Sequence, residues 1–193
     1  VGMILLRFPL IKVLYENGTT FTSESTELVA WALLWYTVGL VGHSAVEILS
    51  RAFYAMKDTR TPVIVGVMAM SLNIILSLIL GPVFLGIGWL AIGGLALANS
   101  IATGLESIIL LIILRKRLNG LEGRKIFQLL WKVLLSVTLM GIAIWWLVDF
   151  TNLSNGLILV TGAFAGAGIF AISLLIFRVE DFTVLVRYFM RKI

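Results

Sequence analysis

The chain has 193 residues, of which 60% are hydrophobic and only 13% charged, with a mean hydropathy of +1.07; soluble domains run at roughly 45–50% apolar and about 25% charged. A water-soluble fold of this length could not hide that much apolar surface, whereas a bilayer core of about 30 Å accommodates uninterrupted apolar helices of about 20 residues. The absence of cysteine excludes disulfides, thiolate metal sites and a cysteine nucleophile, and the net charge of +5 sits in short links between apolar runs, with no basic face interleaved with aromatics that would point to nucleic acid.

The first apolar stretch, Val1 to Tyr15, is short and contains Arg7, Pro9 and Lys12. Basic residues inside the run and the lack of a small-residue cleavage site argue against a signal peptide. It reads as a truncated span over 1–15, with the expectation that the sequence starts within a longer protein. After the polar stretch Glu16 to Glu27 come five full spans, over Leu28–Ser50, Pro62–Leu80, Trp89–Leu114, Ile126–Val148 and Leu157–Phe177. Backbone groups in hydrocarbon must be satisfied within their own segment, and the runs lack the alternation of barrel strands, so each is a helix. The expected fold class is therefore all-α, a polytopic transmembrane bundle: a partial span, three helices over 28–114 and two over 126–177.

The links suggest where the helices stop. Thr61 stands where an N-cap belongs, with Pro62 in the first turn; Gly81-Pro82 is expected to end the next helix, and Asn119-Gly120 and Asn155-Gly156 are read as turn dipeptides. The segments 51–61, 115–125 and 178–193 hold Arg51, Lys57, Arg60, Arg115, Lys116, Arg117, Arg124, Lys125, Arg178, Arg187, Arg191 and Lys192. The alternate links hold no basic residue. The positive-inside rule makes the basic set, and the C-terminus with it, cytoplasmic. Arg7 and Lys12 dissent and are candidates for a protein-lined position. Trp31, Trp35, Trp89, Trp145 and Trp146 fall toward outer ends and Trp131 toward an inner end, as interfacial anchors do. The tail 178–193 mixes apolar and basic residues as an amphipathic helix on the inner membrane surface would.

Ionisable side chains within spans are costly and need a partner or a water-filled cavity. Three stand out as candidates for proton or ion coupling: His43, Glu47 and Glu106. His43 and Glu47 are four apart on one face and close enough to pair, with Arg51 one turn further on; a structural pair is the competing reading. Glu106 lies mid-span without a local partner and is expected to meet a donor from another helix. Asn73, Ser77 and Asn99 suit interhelical hydrogen bonds, and Gly39, Gly42, Gly88, Gly93, Gly94, Gly162, Gly166 and Gly168 suit close helix packing. One histidine and no cysteine make no zinc site, and neither a nucleophile elbow nor a phosphate-cradling loop occurs. No enzyme, metal or cofactor is expected, apart from a coupling ion of unknown identity.

The most specific stretch is Arg51-Ala-Phe-Tyr-Ala-Met-Lys-Asp-Thr-Arg-Thr-Pro62, followed by Leu72-Asn73-Ile74 in the next span. It resembles the loop after the tenth helix of the MurJ (MviN) lipid II flippases, of the multidrug, oligosaccharidyl-lipid and polysaccharide exporter superfamily. Pro9-Leu-Ile-Lys-Val-Leu-Tyr-Glu-Asn-Gly18 with Phe21-Thr22 is similar to that family's outer loop after the ninth helix. The resemblance is strong over 9–80 and by helix count covers the whole chain. It implies the C-terminal lobe of a fourteen-helix flippase in the bacterial cytoplasmic membrane, moving the undecaprenyl-linked peptidoglycan precursor by alternating access together with an N-terminal lobe. It further implies that the helices over 126–177 form a groove for the isoprenoid tail, while the cationic cavity residues lie in the other lobe. Arg51, Asp58, Arg60, Thr61 and Pro62 then form a gate or hinge, or simply a clamp in which Asp58 pairs with either arginine and Thr61 caps the next helix. A sister exporter of polysaccharide lipids or drugs, and a non-transporting membrane scaffold, are the rival readings.

Overall fold

The computed structural model describes residues 1–15, 23–118, 123–151 and 154–177, and all of its regular structure is helical: α1 (Gly2–Leu5), α2 (Arg7–Tyr15), α3 (Ser23–Ala55), α4 (Arg60–Gly86), α5 (Ala91–Arg117), α6 (Gly123–Phe150) and α7 (Asn155–Ile176). The last five are long and apolar enough to cross a membrane. The chain divides into two compact units, one of α3–α5 and one of α1, α2, α6 and α7. The tail 178–193 and the turn expected at Asn119-Gly120 lie outside the described residues.

In the first of these units α5 lies between α3 and α4. Small residues bring the backbones together: a Cβ on Gly39 would stand 2.9 Å from the Ser100 Cα, and one on Gly42 would stand 3.2 Å from the Gly104 amide. These contacts advance together along both chains, so α3 and α5 are parallel. Gly94 is pressed against the Leu80 backbone while Gly66, earlier in α4, faces Glu106, later in α5, so α4 runs antiparallel to α5. One end of the unit is closed by the buried cluster Leu49, Phe53, Val65, Leu110 and Leu114. The other is closed by Trp31, Trp35, Phe84 and Trp89, whose rings pair at centroid separations of 5.2 to 6.1 Å.

In the other unit Leu6, Ile144 and Ile158 form the core. Gly162 lies against Leu6 and Gly166 against Ile144 and Met140, so α7 packs both on the N-terminal segment and on α6. Pro9 explains why that segment is two helices. It has no N–H to offer the Leu5 carbonyl and its ring crowds that oxygen, so the helix breaks at Leu6 and restarts.

Two expectations about helix ends need correction here. Gly81-Pro82 does not end α4, which runs on to Gly86 with Pro82 inside it. The stop comes at Gly88, whose φ of +79° lets its amide reach the Leu85 carbonyl at 3.0 Å while the Trp89 amide reaches Phe84 at 2.8 Å, a Schellman closure. Gly88 has open space beyond its Cα, so its freedom of φ is what is used, not its smallness. Asn155-Gly156 is not a turn but the first two residues of α7, after Ser154 in an extended conformation; first-turn amides need no intrahelical partner, so neither residue obstructs a helix start.

Candidate functional site

The link from α3 to α4 begins with a second Schellman closure: the Lys57 amide donates to Tyr54 O at 2.9 Å and the Asp58 amide to Phe53 O at 3.0 Å. Lys57 takes the left-handed conformation this requires, φ +60°, a position more commonly held by glycine. The turn projects Asp58 across the start of α4. Its Oδ1 accepts the Arg60 and Thr61 amides, each at 3.1 Å, and its Oδ2 accepts the Thr61 hydroxyl at 2.6 Å. Asp58, two residues before the helix, is therefore the cap. Thr61 is not the N-cap but an internal donor, and Thr59, at the boundary, makes no side-chain cap bond. Pro62 is buried in the first turn, where its missing N–H costs nothing.

The cation that meets Asp58 is neither Arg51 nor Arg60. It is Arg117, in the last turn of α5, with Nη1 2.6 Å from Asp58 Oδ2 and Nη2 donating to Thr61 Oγ1 at 3.2 Å. Its guanidinium carbon also stands 5.4 Å from the Phe53 ring centroid. One side chain thus ties the end of α3, the start of α4 and the end of α5. The charges suit the helix dipoles as well, anionic at an N-terminus and cationic at a C-terminus. The Thr61 hydroxyl and amide, with Arg117 behind them, hold the Asp58 carboxyl down at about 2. Arg117 was legible only as one of three consecutive basic residues; which of Arg115, Lys116 and Arg117 turns toward α4 depends on the docking of α5.

Arg51 instead pairs with Glu47 on its own helix, and both side chains are largely exposed. His43 does not pair with Glu47. Its Nε2 accepts from Asn99 Nδ2 at 3.2 Å and lies 3.4 Å from Thr103 Oγ1, both on α5. An amide nitrogen can only donate, so Nε2 carries no proton in this arrangement and Nδ1 does. Arg60 contributes its amide, not its guanidinium, to the Asp58 cluster. Glu106 lines a cavity of about 440 Å³ between α4 and α5 and faces Gly66. The donor expected from another helix is not found there: among the described residues none hydrogen-bonds to it. Asn73 and Ser77 bond to each other along α4, at 3.3 Å, rather than across helices.

Five spanning helices packed through glycines, with one helix-end junction locked by an aspartate and an arginine, define a polytopic α-helical membrane protein. The family model described as "Lipid II flippase MurJ" matches residues 1–164, and the chain belongs to that family. It is 39% identical over 102 residues to the lipid II flippase MurJ of Thermosipho africanus, covering 53% of this chain and 20% of that protein. It is 29% identical over 180 residues to a probable lipid II flippase MurJ of Rhizobium meliloti, covering 91% of this chain and 32% of that one. The solved structure of a lipid II flippase MurJ in an inward closed conformation superposes with a TM-score of 0.72 at 28% identity, over 92% of this chain and 34% of that one. The chain therefore spans between a fifth and a third of the length of these relatives.

Proposed function

We propose that this chain forms the C-terminal part of a flippase of the bacterial inner membrane that carries the lipid-linked peptidoglycan precursor, lipid II, to the outer leaflet by alternating access, without covalent chemistry and without a cofactor. The observation that carries the reading is the family membership, together with the junction that the R-A-F-Y stretch builds. Arg117 on Asp58 and Thr61 holds the start of α4 to the end of α5, and Lys57 sets the turn that brings Asp58 there. A latch of this kind closes one face of a transporter when formed and frees α4 when broken. In this reading the basic links and the C-terminus are cytoplasmic, α6 and α7 give the isoprenoid tail an apolar surface, and a further lobe of the same protein supplies the groups that hold the pyrophosphate.

The test is complementation in a bacterium depleted of its lipid II flippase, using this segment joined to its own upstream half. The reunited protein is expected to restore growth, and Asp58→Ala and Arg117→Ala to lose rescue at normal expression, with the double variant no worse than either single one because the two residues act as a unit. Arg51→Ala and Glu47→Gln, altering a largely exposed pair within one helix, are expected to rescue. Absence of rescue by a stably inserted, reunited protein overturns the flippase reading.

A further inference from the structure

The α4–α5 cavity is walled by Val65, Met68, Leu72, Ile75, Leu105 and Ile109, with Glu106 as its one ionisable group. Ser71, which also lines it, spends its hydroxyl on the Val67 carbonyl at 2.9 Å and has no proton left to offer. Across from Glu106 the wall is Gly66, where a Cβ would come within 3.4 Å of Oε1, so α4 presents bare backbone to the carboxyl. Nothing ionisable stands on α4 between Pro62 and Gly86, or elsewhere on α5 between Ala91 and Leu114. From α3 the charged or titratable groups of the span are Tyr36, His43 and Glu47; Glu47 is committed to Arg51, and His43 is bonded to Asn99 and Thr103. A carboxylate among apolar walls with no donor is costly to keep ionised.

We propose that Glu106 is a proton-binding site opening into the α4–α5 cavity, protonated while the cavity is dry and deprotonated when water enters. The proton passes to Glu106 Oε1 or Oε2 from water and returns to water, with no other co-reactant. Protonation makes the groove neutral and lets α4 move along α5 at Gly66; ionisation sets a charge there that resists a dry contact. The site itself does not depend on the flippase reading. Its use in driving transport does, since a proton taken up in one conformation and released in the other would couple the two.

The experiment uses the full-length protein in liposomes, with dicyclohexylcarbodiimide as probe. The reagent adds to a protonated carboxyl in apolar surroundings: the acid proton goes to one carbodiimide nitrogen and the carboxyl oxygen to the central carbon, and the acyl group then migrates to the other nitrogen as a stable acylurea, nothing being lost. Mass spectrometry of the peptide bearing Glu106 is expected to show an adduct at acidic and neutral pH whose yield falls at least tenfold as pH rises toward 9, an adduct retained in Glu106→Asp and missing in Glu106→Gln. No adduct at any pH would mean a permanent ion pair from elsewhere in the protein, and a yield independent of pH a permanently neutral structural acid; either result overturns the proposal. These readouts need no transport, so their failure is distinct from failure of complementation.

Discussion

Asp58 shows how much one side chain settles here. Two residues before α4 it meets two amides, a hydroxyl and a guanidinium, and its carboxyl is held at about 2 against an ordinary value of 3.8. Because the folded value is the lower one, the carboxylate adds stability that is present above pH 4 and is lost as pH falls through about 2. In detergent, thermal unfolding of the wild type between pH 7 and pH 2 is expected to lose stability in that lowest range, and Asp58→Asn to remove that part of the loss while lowering the midpoint at pH 7. The sequence marked Asp58, Thr61 and Pro62 as a helix start but named the wrong cap and the wrong arginine. A two-residue offset between cap and helix, and a partner 59 positions along, are products of tertiary docking that local spacing does not carry.

At the scale of the element, the glycines divide by what they touch. Gly39 lies against Ser100, whose hydroxyl donates to Trp35 O at 2.6 Å, so a methyl group there strikes backbone and breaks a cross-helix bond. Gly168 faces open space on α7. Gly39→Ala is expected to cost about 1–3 kcal/mol through forced separation of α3 from α5. Gly168→Ala, which only removes backbone freedom within a helix, is expected to leave stability unchanged or raise it by about 0.5–1 kcal/mol. Thermal midpoints of the two variants in the same detergent check both. The sequence placed all these glycines in one packing class, since spacing alone cannot tell a buried small residue from one facing lipid or from Gly88, which serves a turn.

Across the whole molecule, the apolar side chains that would be a liability in water lie outward: Val41 is 79% exposed and Phe164 78%. In a bilayer that surface meets hydrocarbon, and the helices associate through small residues and hydrogen bonds instead of through burial of large side chains. The α3–α5 unit carries its basic groups at one end, around Asp58 and Arg117, and its four-aromatic cluster at the other. This chain has no native cysteine, so once any cysteine elsewhere in the full-length protein is replaced by serine, single cysteines introduced here report sidedness directly. In the full-length protein in spheroplasts, a cysteine replacing Gly86 is expected to react with a membrane-impermeant maleimide added outside, and one replacing Lys57 to react only after the membrane is opened. The reverse pattern would invert the orientation drawn from charge.

Composition and the length of the apolar runs were enough to determine an all-α membrane bundle and its five spans, because hydrocarbon leaves a backbone few choices and those choices are local. The R-A-F-Y stretch was enough to suggest the family, because a string of twelve specific residues in unbroken order, Arg51 to Pro62, has few chance matches. Which cation Asp58 would meet, that His43 would bond to α5 and not to Glu47, and that Glu106 would face a cavity and a bare glycine were decided only by the fold. Each depends on the rotation of one helix against another, set by glycine contacts such as Gly39 on Ser100 and Gly94 on Leu80, whose partners are far apart in the chain.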